Sequence, residues 1–318
     1  MECPTCLLTD ASKPEVLRYF WPEQDVVVEL AEDGPCSFCR DVERYLDVDR
    51  LREERDEFFA RAKRPIFLAY SGGKDSTATL YHLRRELDVP VIAVLFDNGF
   101  IPSEVLVYAQ KVCDQLDAEL IIDRQPGAGE RLDRGFQRRL KVAFRGVRND
   151  VCAPCSKTFM RRFHHMIIER GADSIVLGNN FWVHSPHTSG GEDPPFMTST
   201  WDKRLLDGSV VHNINLPFAS RITYGRTQEI LAEIGFHQAA FRGYTTNCVL
   251  SDFQDYVREK DGQVTDWGRE YLSLEVSSGY ITRDEALAKL ESAAGGYDLE
   301  LMKRIEASLT GGDALGAI

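Results

Sequence analysis

The stretch Phe67–Leu83, FLAYSGGKDSTATLYHL, decides the fold. The apolar run RPIFLAY (64–70) reads as a buried strand, and DSTATLYHLRRELD (75–88) as the helix after it. Between them lie two glycines, a lysine, an aspartate and two serines. Gly72 and Gly73 carry no Cβ, so the backbone there can approach an anion closely. Free N–H groups at the helix start, with the helix dipole behind them, favour phosphate. Lys74 adds a point charge, and Ser71 and Ser76 add short hydroxyl donors. A tight turn alone would ask for glycine, but not for the Lys, the Asp and both serines. The junction therefore reads as a phosphate cradle, shorter than the Gly-x4-Gly-Lys-Ser/Thr loop.

Outward from this junction the pattern repeats. VPVIAVLFDNG (89–99) is a second strand, PSEVLVYAQKVCDQLD (102–117) a helix and AELIIDR (118–124) a third strand. KTFMRRFHHMIIERG (157–171) is a helix and ADSIVLGNN (172–180) a fourth strand. VHNINLPFA (211–219) reads as a fifth strand and TQEILAEIG (227–235) as a helix stopped by Gly235. Strands alternating with helices of this length predict a parallel sheet with crossovers, an α/β/α sandwich. The Gly-, Pro- and Ser-rich stretch 181–201 reads as a loop or lid, and its His184 and His187 are candidates for substrate contact. The chain divides into a Cys-rich module (1–45) with a short β-like run at Val26–Leu30, a linker helix (46–63), the α/β domain (64–250) and a helical tail (251–318). In that tail Thr282 and Glu285 form a capping box, and 310–318 reads as frayed.

The 318 residues suffice for one large domain plus smaller pieces. No basic-plus-apolar leader pattern and no apolar run near 18 residues is present, which predicts a cytoplasmic protein with no membrane partner. The net charge of −12 argues against a surface built throughout for nucleic acid. Yet between Arg131 and Arg162 ten Arg or Lys stand against Asp133 and Asp150, about +8 locally. That window is either a solvated helix face or an anion site for phosphate, a sugar nucleotide or RNA.

Six of the eight cysteines form Cys-x-x-Cys pairs. In a reducing compartment such spacing points to metal before redox chemistry. Cys3, Cys6, Cys36 and Cys39 offer four soft ligands with no open position, a structural Zn2+ site. Cys152 and Cys155 form the third pair, and Cys248 stands alone in GYTTNCVL (243–250). Three thiolates can hold a [4Fe-4S] cluster with one iron open, act as a redox or persulfide pair beside a buried thiol, or bind zinc. Cys113 falls on the apolar side of a helix and reads as core. Of His164 and His165, one should face the sheet and the other solvent.

SGGKDS, set between strand and helix, resembles the signature of the PP-loop (N-type) ATP pyrophosphatases over roughly residues 64–250. The resemblance implies that ATP is cleaved between the α and β phosphates, that AMP is placed on a substrate oxygen, and that a nucleophile then displaces it. It implies that Ser71, Gly72, Gly73, Lys74, Asp75 and Ser76 hold pyrophosphate and Mg2+, with Lys74 and Asp75 serving the chemical step. Asp97, in LFDNG, would lie beside the nucleotide, as would Gly178 and Asn179 after the fourth strand.

The Cys152/Cys155/Cys248 set is similar to that of the tRNA 2-thiolation branch of the superfamily, which implies a [4Fe-4S] cluster and a sulfurtransferase, with Cys152 and Cys155 catalytic. The sequence departs from that branch at LGNNFWVHS (177–185), where the branch carries Gly-His-Asn and acidic residues. The two ends resemble a different branch, the N-acetyl sugar amidotransferases of surface-polysaccharide (LPS) biosynthesis. That likeness rests on the N-terminal Cys pairs and on Ser278, Gly279, Ile281, Thr282, Arg283, Glu285 and Ala286. Two reactions follow: replacement of an activated oxygen by sulfur, or by ammonia. The expected partners are a small-molecule substrate (sugar or nucleobase) or tRNA, a sulfur donor or a glutaminase, and a second copy of the chain in a homodimer.

Overall fold

The computed structural model describes residues 2–10, 12, 28–32, 34–124, 138, 140–142, 152–178, 197–236, 247–260, 264–292 and 298–310. The central sheet is built from β1 (Ile66–Ala69), β2 (Val91–Asp97), β3 (Glu119–Arg124), β4 (Ser174–Leu177), β5 (Thr200–Arg204) and β6 (Val210–Asn215). Its order is β3-β2-β1-β4-β6-β5. All pairs are parallel except β5 with β6.

Side chains of β1 and β2 alternate between two cores, as a period of two demands. Leu68, Ala93 and Leu95 join one, with Ala78 and Leu80 of α3 (Lys74–Tyr81) and Val112 and Cys113 of α4 (Ser103–Gln115). Phe67, Val94 and Phe96 join the other, with Phe163 and Ile167 of α5 (Cys152–Glu169). Helices thus cover both faces, the α/β/α arrangement expected. Each fully buried Val, Leu, Ile or Phe among these contributes about 1.5–3 kcal/mol.

Around this sandwich pack α1 (Ser37–Tyr45), α2 (Val48–Arg61), α6 (Leu216–Ala219), α7 (Tyr224–Glu233), α8 (Val249–Lys260), α9 (Val264–Ser277), α10 (Arg283–Ser292) and α11 (Leu299–Thr310). The N-terminal cysteines and Phe38 share a core with Met197, Phe218 of α6 and Leu274 of α9. Leu7 packs with Leu272 and Tyr280. The two ends of the chain therefore meet.

Four expectations need correction. The stretch expected as loop up to Trp201 ends in β5, an antiparallel edge strand with outward-facing charged residues. It lacks the apolar run that announces a buried strand. The expected strand 211–219 stops at Asn215, where Pro217 cannot donate to a ladder and a short helix begins. The helix expected from Lys157 starts at Cys152, because a proline is tolerated in a first helical turn. Val28–Leu30 form no strand; they lie beside α1, where the Ser37 amide donates to the Glu29 carbonyl at 2.9 Å. His184, His187, Asn179, most of the 131–150 stretch and 311–318 lie outside the described residues. No helix among the described residues is long and apolar enough to cross a membrane.

Candidate nucleotide and thiol site

The sheet order reverses direction at β1: β2 lies on one side of it and β4 on the other. Open α/β sheets bind ligands at the carboxyl ends of the strands flanking such a switch point. Two segments sit there, Ser71–Ser76 after β1 and Gly178 after β4. Gly72 has φ +72°, and α3 opens at Lys74 with Gly73 as its N-cap. The loop is braced from within. Ser71 Oγ and Ser76 Oγ are 3.0 Å apart, and the Gly73 amide donates to Ser71 Oγ at 3.3 Å. Lys74 Nζ donates to both oxygens of Asp75, at 2.7 and 2.6 Å. The cation and the carboxylate are thus held against each other, and an arriving phosphate would compete for the ammonium.

Gly178 belongs to the same site for a steric reason. A Cβ there would come within 2.7 Å of Ser76 Cα, so only glycine lets β4 end against the start of α3. Asp97 ends β2, buried, and its Oδ1 accepts from the Gly99 amide at 3.0 Å. Arg124 Nε lies 3.6 Å from its other oxygen.

The next residue, Asn98, carries no signal of its own in the sequence. Its Nδ2 donates to Cys155 Sγ at 3.4 Å and to Cys248 Sγ at 3.3 Å. Cys152 lies one turn before Cys155 at the start of α5, and its amide donates to Gln254 Oε1 of α8 at 3.0 Å. Phe100, Leu250 and Phe253 pack beside these cysteines. Burial, with the neighbouring Cys248 adding to it, pushes the Cys155 thiol up to about 12, and burial raises Cys248 as well. Both stay protonated near neutrality unless a cation draws the proton off. Cys155 and Cys248 thus share one amide donor group, with Cys152 one helical turn away and an apolar wall beside them.

The two halves of the site are joined by consecutive residues. Asn247 Nδ2 reaches the Ser71 carbonyl at 3.5 Å, while Cys248 meets Cys155 through Asn98. The Ser71–Ser76 loop and the Cys155/Cys248 pair therefore stand side by side.

No protein-family model matches the chain. Uncharacterized protein MJ1599 of Methanocaldococcus jannaschii is 21% identical over 299 residues, covering 92% of this chain and 93% of that protein. Among solved structures, the U34-tRNA thiolase NcsA from Methanococcus maripaludis with its [4Fe-4S] cluster aligns with a TM-score of 0.40 and 14% identity, over 94% of this chain and 91% of that one. The NH3-dependent NAD synthetase from Campylobacter jejuni aligns with a TM-score of 0.36 and 12% identity, over 78% and 96%.

The other cysteine set is closed. Cys3, Cys6, Cys36 and Cys39 are all buried, and their sulfurs lie within 4.8 Å of one another. Cys36 is 3.8 Å from Cys6 and 3.7 Å from Cys39, and Cys3 is 4.0 Å from Cys39. A tetrahedron with Zn–S bonds of about 2.3 Å has edges of about 3.8 Å. Backbone amides of Cys6, Leu8 and Cys36 donate to these sulfurs at 3.4–3.5 Å. Hydrogen bonding with its neighbours, Cys39 first, holds the Cys36 thiol far down, while the hydrogen bond with Cys36 pushes Cys39 up to about 12. One thiolate in the group resists the next, the electrostatic condition that a divalent cation relieves.

Some expected residues stand apart from the site. Arg162, within the basic window, pairs with the buried carboxylate of Asp123, so that charge serves the fold. Cys113 is fully buried core, as expected. His164 is buried with Nε2 3.1 Å from Asn213 Oδ1, whereas His165 is exposed.

Proposed function

We propose that this protein is an ATP-dependent adenylating enzyme that replaces a substrate oxygen with sulfur. The observation that carries the reading is the Asn247–Cys248 junction, one residue on the phosphate loop and the next on the thiol group. A substrate oxygen attacks the α-phosphorus of ATP, the bond to the β-phosphate breaks, and pyrophosphate leaves. Lys74 and the N–H groups at the start of α3 take up the charge that develops there. Asp75, released as Lys74 turns to phosphate, becomes available to Mg2+, and Asp97 and Gly178 border the nucleotide. A sulfur nucleophile then attacks the activated carbon, and AMP departs with the oxygen. A [4Fe-4S] cluster held by Cys152, Cys155 and Cys248 would supply an open iron for the incoming sulfur. Zn2+ in the N-terminal four-cysteine site would be structural.

One observation favours a second reading. Tyr280, within the segment that resembles sugar amidotransferases, donates to Asp75 of the phosphate loop at 3.1 Å. On that reading the nucleophile is ammonia. Iron and sulfide analysis of anaerobically purified protein, followed by mass spectrometry of products formed with ATP, tests both. Broad absorbance near about 400 nm and a product heavier by the oxygen-to-sulfur difference support the thiolation reading. Colourless protein that makes an amide overturns it in favour of the second.

A further inference from the structure

The N-terminal group of four cysteines and the phosphate loop are linked through one short C-terminal turn. Cys39 Sγ lies 3.1 Å from Ser277 Oγ, at the last residue of α9. Arg283 Nε, at the start of α10, donates to the Cys6 carbonyl at 3.2 Å. The Leu7 amide donates to Ser273 Oγ at 3.0 Å. The cysteine-bearing loops thus grip the turn from both sides. Between Ser277 and Arg283 the chain reverses at Gly279, whose φ of +75° suits only glycine without strain. The Ser278 carbonyl is clamped by Arg221 at 2.6 Å, and the Tyr280 carbonyl by the Tyr224 amide at 2.8 Å.

What this clamped turn presents is Tyr280. Its ring is buried against Leu7, Leu272 and Ala286, and its hydroxyl donates to Asp75 Oδ1 at 3.1 Å. Lys289 Nζ stands 5.8 Å from the same ring, 4.3 Å from that of Tyr224 and 3.5 Å from Glu275 Oε2. Glu275 is itself buried. Nothing in packing alone requires a hydroxyl at Tyr280, since a phenylalanine would fill the same space. The hydroxyl reaches Asp75. When Lys74 leaves Asp75 for phosphate, Tyr280 still holds the carboxylate.

We propose that Tyr280 is a positioning residue for Asp75, held in place by the N-terminal thiol centre through Ser277. That centre then acts on the nucleotide site, which accounts for the meeting of the two chain ends. This rests on reading Ser71–Ser76 as the nucleotide loop with Asp75 toward Mg2+.

The test is calorimetric titration of Mg2+ into the full-length, metal-loaded chain at fixed α,β-methylene-ATP, a readout independent of turnover. Tyr280→Phe should raise the Mg2+ concentration for half-maximal nucleotide binding by about tenfold, the worth of a hydrogen bond to a charged group. Ser277→Ala should raise it by about threefold, and the double variant should match Tyr280→Phe alone, because the two act in series. Wild-type Mg2+ dependence in Tyr280→Phe, or additive effects in the double variant, overturns the proposal. So does loss of bound zinc or of the wild-type melting temperature in Tyr280→Phe, which would make the defect one of folding. Lys74→Ala separates this from the underlying reading: it should abolish nucleotide binding. Normal nucleotide binding by Lys74→Ala removes the loop assignment, and the proposal with it.

Discussion

Two groups of cysteines in one chain are built to opposite designs. Cys3, Cys6, Cys36 and Cys39 are buried, bring four sulfurs together at tetrahedral spacing and take hydrogen bonds from their own backbone. Cys152, Cys155 and Cys248 are half-buried and come from two distant segments, and two of them, Cys155 and Cys248, take a donor from Asn98, just after β2. A set with all positions filled by protein can hold structure in place but cannot itself take a substrate. A set of three, beside the Ser71–Ser76 loop, would leave a ligand position free for chemistry. The closed set should therefore govern stability and the open set turnover.

Breaking the closed set should have the largest effect. Cys36→Ala removes one of the four sulfurs, and zinc should be lost. Since metal binding is folding energy in such modules, a loss of about 5 kcal/mol or more is expected, read as a lowered melting temperature. If Cys36→Ala melts like wild type, the closed set is not a metal centre.

The open set should respond the other way. Cys248→Ala should lower product formation by about a thousandfold or more while ATP binding and melting temperature stay near wild type. A Cys248→Ala protein that turns over normally ends the three-thiolate reading. Asn98→Ala sharpens the same contrast, because it removes the shared donor and leaves every thiol in place. Activity or iron content should fall by about 10–100-fold, as for other groups that orient metal ligands. Unchanged iron content and activity would reduce Asn98 to a loop-bracing residue, through its bond to the Phe100 amide.

The smallest effect concerns Asp252, four residues after Cys248. Its Oδ1 is buried with no hydrogen-bond partner among the described residues, and burial, then Asp255, pushes its carboxyl up to about 6. A raised carboxyl favours the folded state fully below 3.8, and that contribution is lost as pH rises through about 6. Above pH 6 the ionised group is a liability. Asp252→Asn should therefore raise stability by about 1 kcal/mol at pH 7.5, after allowing for solvent screening, and by less at pH 4.5. Melting curves at the two pH values check this, and equal shifts at both would mean the charge is not the cause.

Much of this was legible in the chain alone. The strands β1, β2 and β4 announced themselves as apolar runs because both of their faces are buried. The capping box at Thr282 and Glu285 is present as expected, with the Thr282 amide donating to Glu285 Oε2 at 2.9 Å. The strand β5 escaped because an edge strand with one solvated face carries no such run. Asn98 and Asn247 escaped for a different reason. Each stands beside a residue that the sequence does mark, Asp97 and Cys248, yet an asparagine has no spacing pattern of its own.

The sequence by itself determined the SGGKDS loop, the parallel α/β frame and which cysteines pair at short range, because these depend on local propensity, side-chain period and residue type. Only the tertiary structure decided that Cys155 and Cys248 share one donor, that Gly178 must lack a Cβ, and that Tyr280 reaches Asp75 from 205 positions away. Such contacts are set by how sheet, helices and chain ends close on one another, and that closure leaves no mark at any single position.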